Sequence, residues 1–215
     1  MHVGIRRAEG SSSAPTSPCS LISFSIGTSH WTSWWRGSSI WAGRRSARSS
    51  LGRSGLGIVL FRVDERLVHG QVTLGWGSQL RPAAYWVVDD DLARTDWEGD
   101  LYRLGVPADA QSDFFTVGDG RERLPGWLAS PSRYVVLTRD LDHMLRLARG
   151  GLLAGKAVNL GGIHHRPGRA EVLPYLFLDG EDRDRVRELQ REGVAVWAQD
   201  LPGAPEVRGP ALVDA

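Results

Sequence analysis

Cysteine is almost missing: Cys19 stands alone in 215 residues, so no disulfide can close within the chain and no cysteine-based zinc site can be built. A reducing, cytoplasmic setting fits that composition. Lysine is as scarce, with Lys156 beside 25 arginines, a bias of GC-rich genomes in which reading frames often stay open upstream of a true start. No apolar run approaches the ~20 residues needed to span a bilayer, so contact with a membrane has to come through partners. Arg6-Arg7 followed by Leu21–Ile26 imitates a secretion signal, but the apolar stretch is brief and broken by serine. Gly150–Lys156 has the Gly-x-x-x-x-Gly-Lys spacing, but Ala157 stands where the phosphate-binding loop needs Ser or Thr, and no Gly-x-Gly-x-x-Gly fingerprint is present, which disfavours a nucleotide enzyme.

Charge is divided along the chain. Residues 1–57 carry seven arginines against Glu9 alone, and the remainder carries 19 basic and 24 acidic residues. A folded part with an acidic balance does not advertise nucleic-acid binding, which needs a clustered basic face. Residues 1–56 are rich in Ser, Gly, Arg and Trp without helical or strand period, so they offer no face to bury and are expected to be a disordered extension. The expected natural start is near Val59, with the preceding residues an artefact of the reading frame.

From Gly57 the pattern changes to short apolar runs alternating with amphipathic stretches, the mark of βαβ units. It predicts an α/β fold: an open, mostly parallel central sheet of about six or seven strands flanked by helices, over residues 57–205, with a tail at 206–215. Strands are expected at 58–63, 84–88, 114–117, 134–137, 157–160, 173–178 and 194–198. Asp179 and Asp140 are placed to cap helices, the second with Leu141, Met144, Leu145 and Ala148 as an apolar stripe.

The first strand runs into Arg62-Val63-Asp64-Glu65-Arg66-Leu67-Val68-His69-Gly70-Gln71-Val72. Loops at the carboxyl ends of strands are where ligands bind in open α/β sheets. His69 stands at the start of the following helix, where free backbone N–H groups favour an anion, so a phosphoryl group on its imidazole could be cradled without a metal. Arg66, three residues earlier, has the fork geometry for phosphate oxygens, and Asp64 can orient the imidazole or Arg66. Gly70 and Gln71 at the helix start, and Gly161 and Gly162 after a later strand, are candidates for holding the phosphoryl group; a tight turn is the plainer use of the glycine pair. Asp89, Asp90 and Asp91 could be assembled on paper with His69, His164 and His165 into a metallohydrolase site, but no ligand pair has metal spacing, and a solvated turn is the simpler reading.

The segment 62–72 resembles the active-site motif of the mannose, fructose and sorbose IIB subunits of sugar phosphotransferase systems. Val87-Val88-Asp89-Asp90-Asp91 resembles that family's second strand, and Asn159-Leu160-Gly161-Gly162-Ile163-His164 its late Asn-hydrophobic-Gly-Gly-Met-His segment, with Ile163 where Met is usual. The resemblance implies that a IIA phosphohistidine passes its phosphoryl group to Nδ1 of His69, that Arg66 contacts that group, and that Asp64 orients. The acceptor would be a sugar held by the membrane subunits IIC and IID. No cofactor and no metal are implied, and both a monomer and a homo-oligomer are compatible. Arg62, Arg66 and Arg166 are candidates for rim charges that steer the IIA partner. The alternative within the family is a regulatory phosphoprotein without a permease.

Overall fold

The computed structural model describes residues 57–213; the extension expected at 1–56 lies outside the described residues. The strands are β1 (Gly57–Val63), β2 (Ala84–Val88), β3 (Gln111–Phe115), β4 (Arg133–Thr138), β5 (Ala157–Leu160), β6 (Ala170–Leu173), β7 (Leu176–Leu178), β8 (Ala195–Ala198) and β9 (Val207–Arg208). The helices are α1 (Gly77–Leu80), continuing a π-helical turn over Gln71–Trp76, then α2 (Asp96–Arg103), α3 (Val117–Ala129), α4 (Leu141–Ala148) and α5 (Gly180–Arg191).

Seven strands form one sheet in the order β3-β2-β4-β1-β5-β8-β9, all parallel except β9. Burial on both faces explains the unbroken apolar runs of the central strands. Val63 and Val136 join α3, α4 and α5 in one buried cluster, while Leu60, Val87 and Leu137 join Leu67, Val72 and Trp76 in another. Successive strand residues point to opposite faces, so Leu60 and Phe61 belong to different clusters.

Capping follows the sequence. Asp140 accepts from the His143 N–H at 2.9 Å, and Asp179 accepts from the Asp182 N–H at 2.8 Å. Gly193, at φ 81°, closes α5 with its N–H on the Gln190 carbonyl and the Val194 N–H on that of Leu189, a left-handed turn that glycine makes at little cost.

Three boundaries differ from expectation. The third strand lies at 111–115 because Thr116 caps α3, accepting from the Asp119 N–H at 3.1 Å, so Val117 is already helical. Its polar start, Gln111-Ser112-Asp113, reflects an edge position. The single strand expected at 173–178 is an antiparallel hairpin, β6 and β7, apart from the main sheet and bent at Pro174-Tyr175, where proline has no N–H to donate. The segment 206–215, expected to be a tail, supplies β9, which pairs with β8, and then buries Leu212 and Val213 in the core.

The topology fixes one crevice. The chain leaves β1 toward β2 on one side, whereas β5 leads to β8 on the other, so the loops after adjacent β1 and β5 diverge at their carboxyl ends. This is the switch point at which open α/β sheets bind ligands.

Candidate functional site

The loops meeting at that crevice are 64–70 and 161–169. Register places Arg62 beside Asn159, and the Arg62 Nη1 donates to Asn159 Oδ1 and, at 2.9 Å, to the Gln199 carbonyl. Arg62 is fully buried, with its guanidinium 5.9 Å from the Trp76 ring centroid. The sequence reading made Arg62 a rim charge; it is instead an internal cation, tolerated because a carboxylate stands against it. That carboxylate is Asp64, also fully buried, whose Oδ2 accepts from Arg62 Nε at 3.1 Å and Nη2 at 2.8 Å. Burial pulls the Arg62 guanidinium below its ordinary pKa, with Asp64 opposing that pull.

Asp64 is the hub of the loop. Its Oδ1 accepts from the Arg66 N–H at 3.1 Å and lies 3.7 Å from Arg66 Nε. Its Oδ2 accepts from the Gly162 N–H at 3.1 Å and stands 3.8 Å from His69 Nε2. Arg66 is 42% exposed at its side chain and His69 16%, so a guanidinium and an imidazole open to solvent above a buried ion pair. Gln71 ties them together: its Oε1 accepts from Arg66 Nη2 and faces His69 Nε2 at 3.3 Å. Asp64, Arg66, His69 and Gln71, drawn from the sequence as candidates, are thus brought together.

Leu67 sits in the left-handed region at φ 52°, costly for a residue with a Cβ, and is held there by complete burial of its side chain. Its N–H bonds the Asp64 carbonyl at 2.9 Å, closing the turn, and its own carbonyl lies 3.0 Å from His69 Nδ1. A carbonyl only accepts, so Nδ1 is placed to donate to Leu67, and Nε2 faces a second acceptor, Gln71 Oε1, at the longer distance of 3.3 Å. Nδ1, the nitrogen implied by the resemblance, is therefore occupied in this orientation, and the ring has to turn about Cβ–Cγ before Nδ1 can attack. After His69 the first backbone bonds run from Val72 and Thr73 to the His69 carbonyl, both 2.9 Å, leaving the N–H groups of Gly70 and Gln71 ahead of the helical ladder.

Gly161 and Gly162 do not offer their N–H groups to an anion. The Gly161 N–H bonds the Val63 carbonyl at 2.8 Å and that of Gly162 is spent on Asp64. Their contribution is room: a Cβ on Gly161 would stand 2.2 Å from Arg62 Nη2, and one on Gly162 would be 3.2 Å from both Arg66 Nη2 and Asp64 Oδ1.

The aspartates after β2 are spent elsewhere. Asp89 is buried, pairs with Arg139 at 2.7 Å and accepts from the Asp91 and Leu92 N–H groups; Asp90 pairs with Arg146 at 2.7 Å. Asp89 is thus a buried anchor rather than part of a solvated turn. Among the described residues no group of three or more His, Cys, Asp or Glu is placed to hold a metal ion. Thr138 donates to the Asp140 carbonyl at 3.0 Å, behind the helix that Asp140 caps.

Asn159, Gln199 and Glu65 were not read as site residues. Asn159 had a signal in its place just before Gly161-Gly162, whereas Gln199 contributes a backbone carbonyl, which no side-chain pattern reveals.

Residues 58–212 match the family model of the PTS system sorbose subfamily IIB component. The N-acetylgalactosamine-specific phosphotransferase enzyme IIB component 1 of Escherichia coli (strain K12) is 32% identical over 149 residues, 68% of this chain and 92% of that protein. The crystal structure of the PTS N-acetylgalactosamine-specific IIB component 1 from Escherichia coli superposes with a TM-score of 0.66 at 30% identity, covering 71% of this chain and 99% of that one. The PTS mannose-specific EIIAB component of Escherichia coli (strain K12) is 24% identical over 151 residues, 70% of this chain and 46% of that protein. Fold and sequence agree: the chain belongs to the sorbose subfamily of PTS IIB components.

Proposed function

We propose that this chain is a cytoplasmic phosphocarrier that takes a phosphoryl group from a IIA phosphohistidine onto His69 and gives it to a sugar held by the membrane subunits IIC and IID. The observation that carries the reading is the convergence of Arg66, Asp64 and Gln71 on a partly exposed imidazole at the switch point of the sheet. A ring nitrogen of neutral His69 attacks the phosphorus in line as the bond to the donor imidazole breaks. The donor nitrogen leaves with its electron pair, and the new phosphorus–nitrogen bond leaves a cationic ring. Asp64, close to Nε2, stabilises that cation, and Arg66 draws charge from the phosphoryl oxygens. In the second step a sugar hydroxyl attacks the same phosphorus, neutral imidazole departs, and the hydroxyl proton passes to a base on the sugar-binding side. Gly70 and Gln71 N–H groups supply anion contacts at the helix start.

A IIA partner is supported by the mannose-specific EIIAB relative, whose name joins the two components in one protein. Among the described residues no helix is long and apolar enough to cross a membrane, which agrees with a carrier that visits its permease. The test is transfer of label from phosphoenolpyruvate through Enzyme I, HPr and a mannose-family IIA, followed by membranes containing IIC and IID with sugar. Acid-labile incorporation that discharges onto sugar is expected. No incorporation from a cognate IIA overturns the reading, and incorporation without discharge restricts the chain to a regulatory role.

A further inference from the structure

Glu65 lies between Asp64 and Arg66 yet faces away from them. Its N–H bonds the Gly162 carbonyl at 2.8 Å. Its carboxylate, 11% exposed, collects donors from one loop: Oε2 accepts from the His164 N–H at 3.1 Å and from His164 Nδ1 at 2.9 Å, and Oε1 accepts from Arg169 Nη1 at 2.6 Å and pairs with Arg166 Nη2 at 3.3 Å. Arg169 carries the connection onward, donating to Asp182 Oδ2 at 3.1 Å in the first turn of α5 and to the His164 carbonyl at 3.0 Å.

Packing does little for this loop. Ile163 is buried and bonded to the β6–β7 hairpin, but residues 164–168 are exposed, with the His165 ring against Phe177 as their aromatic contact. A cavity of about 230 Å³ opens beside them, lined in part by Glu65, Arg166, Arg169 and Asp182. The loop is held in place by ionic and hydrogen bonds, most of which end on one carboxylate.

The loop begins inside the site, since the Gly162 N–H bonds Asp64 and a Cβ at Gly162 would stand 3.2 Å from Arg66 Nη2, and it carries Arg166 outward with its side chain 65% exposed. We infer that Glu65, backed by Arg169, is a positioning residue that fixes the His164–Arg166 edge beside the phosphoryl site as a docking surface for the anionic phosphohistidine of the donor protein. The inference rests on the phosphocarrier reading and adds to it a division of labour. Arg66 and Asp64 serve the transfer step, and Glu65 serves capture of the donor. Charges at the rim of an interface act chiefly on association.

Steady-state transfer from phosphorylated IIA to the full chain tests it, comparing wild type with Glu65→Gln, Glu65→Asp and Arg169→Gln. Glu65→Gln is expected to raise KM for phosphorylated IIA by about tenfold with kcat changed by less than about twofold. Glu65→Asp should recover much of the loss, and Arg169→Gln should move KM in the same direction by less. Amide NMR shifts of residues 162–169 should change in Glu65→Gln, while those of the β1 core stay in place. An unchanged KM in both Glu65→Gln and Arg169→Gln overturns the inference, as does a fall in kcat at constant KM. A wild-type protein that takes no phosphoryl group overturns the phosphocarrier reading itself, whereas normal wild-type transfer with unaffected variants removes Glu65 alone.

Discussion

Asp64 Oδ2 stands 2.8 Å from Arg62 Nη2 beneath the loop and 3.8 Å from His69 Nε2 at its surface, so one buried carboxylate joins the interior of the sheet to the exposed imidazole. Neutralising it leaves the Arg62 guanidinium without its anion in a site from which water is excluded. Asp64→Asn is expected to lower unfolding free energy by about 3–5 kcal/mol, the scale for orphaning one member of a buried ion pair. It should also lower the rate of phosphoryl acceptance even at temperatures where the variant is folded. Urea denaturation together with single-turnover transfer checks both parts.

Gly161→Ala is expected to destabilise more than Gly162→Ala. The added methyl on Gly161 would overlap the fixed guanidinium of Arg62, whereas on Gly162 it would stand 3.2 Å from the half-exposed Arg66, which can move aside, and from the buried Asp64 Oδ1, a milder contact than the one at Gly161. An overpacked interior site of this kind costs about 1–3 kcal/mol. Gly162→Ala should therefore keep most of its stability and lose transfer rate, a contrast read by thermal denaturation and labelled phosphate uptake.

Neutral His69 in the unphosphorylated protein should be the Nδ1–H tautomer, because Nδ1 lies 3.0 Å from the Leu67 carbonyl and Nε2 a longer 3.3 Å from its acceptor, Gln71 Oε1. Long-range proton–nitrogen NMR correlations distinguish the two tautomers directly. If Nδ1 is the nitrogen that becomes phosphorylated, the same spectra should show the ring turned away from Leu67 in the phosphorylated protein.

Glu65 gives a pH signature. Burial alone would raise its pKa, but donation from Arg169 and His164 and the charge of Arg166 together hold it below the ordinary 4.5. A carboxylate whose pKa is depressed on folding stabilises the protein above its unfolded pKa and loses that contribution as pH falls through the folded value. The stability gap between wild type and Glu65→Gln should be full at neutral pH, begin to narrow near pH 4.5, and close in stronger acid. Urea midpoints across that range measure it.

What the sequence reveals of this site is its local part. Asp64, Arg66, His69 and Gln71 fall within eight consecutive residues of one strand-to-helix loop, so their meeting follows from chain connectivity. Arg62 was misplaced because an arginine is ordinarily a surface residue, and the partners that bury it, Asn159 and the Gln199 carbonyl, lie 97 and 137 residues away. Glu65 escaped for the same reason, its partners Arg166 and Arg169 being brought in by the hairpin β6–β7. The glycine pair stays a phosphate-binding candidate on sequence, beside the plainer tight turn, because sequence cannot tell an open N–H from one already bonded. The parallel strands were legible from their apolar runs, whereas β9, two residues long with a polar Arg208, had too little pattern to be seen.

The central claim is that His69 carries the phosphoryl group, and locating the label tests it most directly. After transfer from phosphorylated IIA, mass spectrometry of peptides prepared at alkaline pH should place the acid-labile group on His69, and His69→Ala should remain folded and take up none. Label on His143, His164 or His165, or undiminished uptake by His69→Ala, would contradict the account.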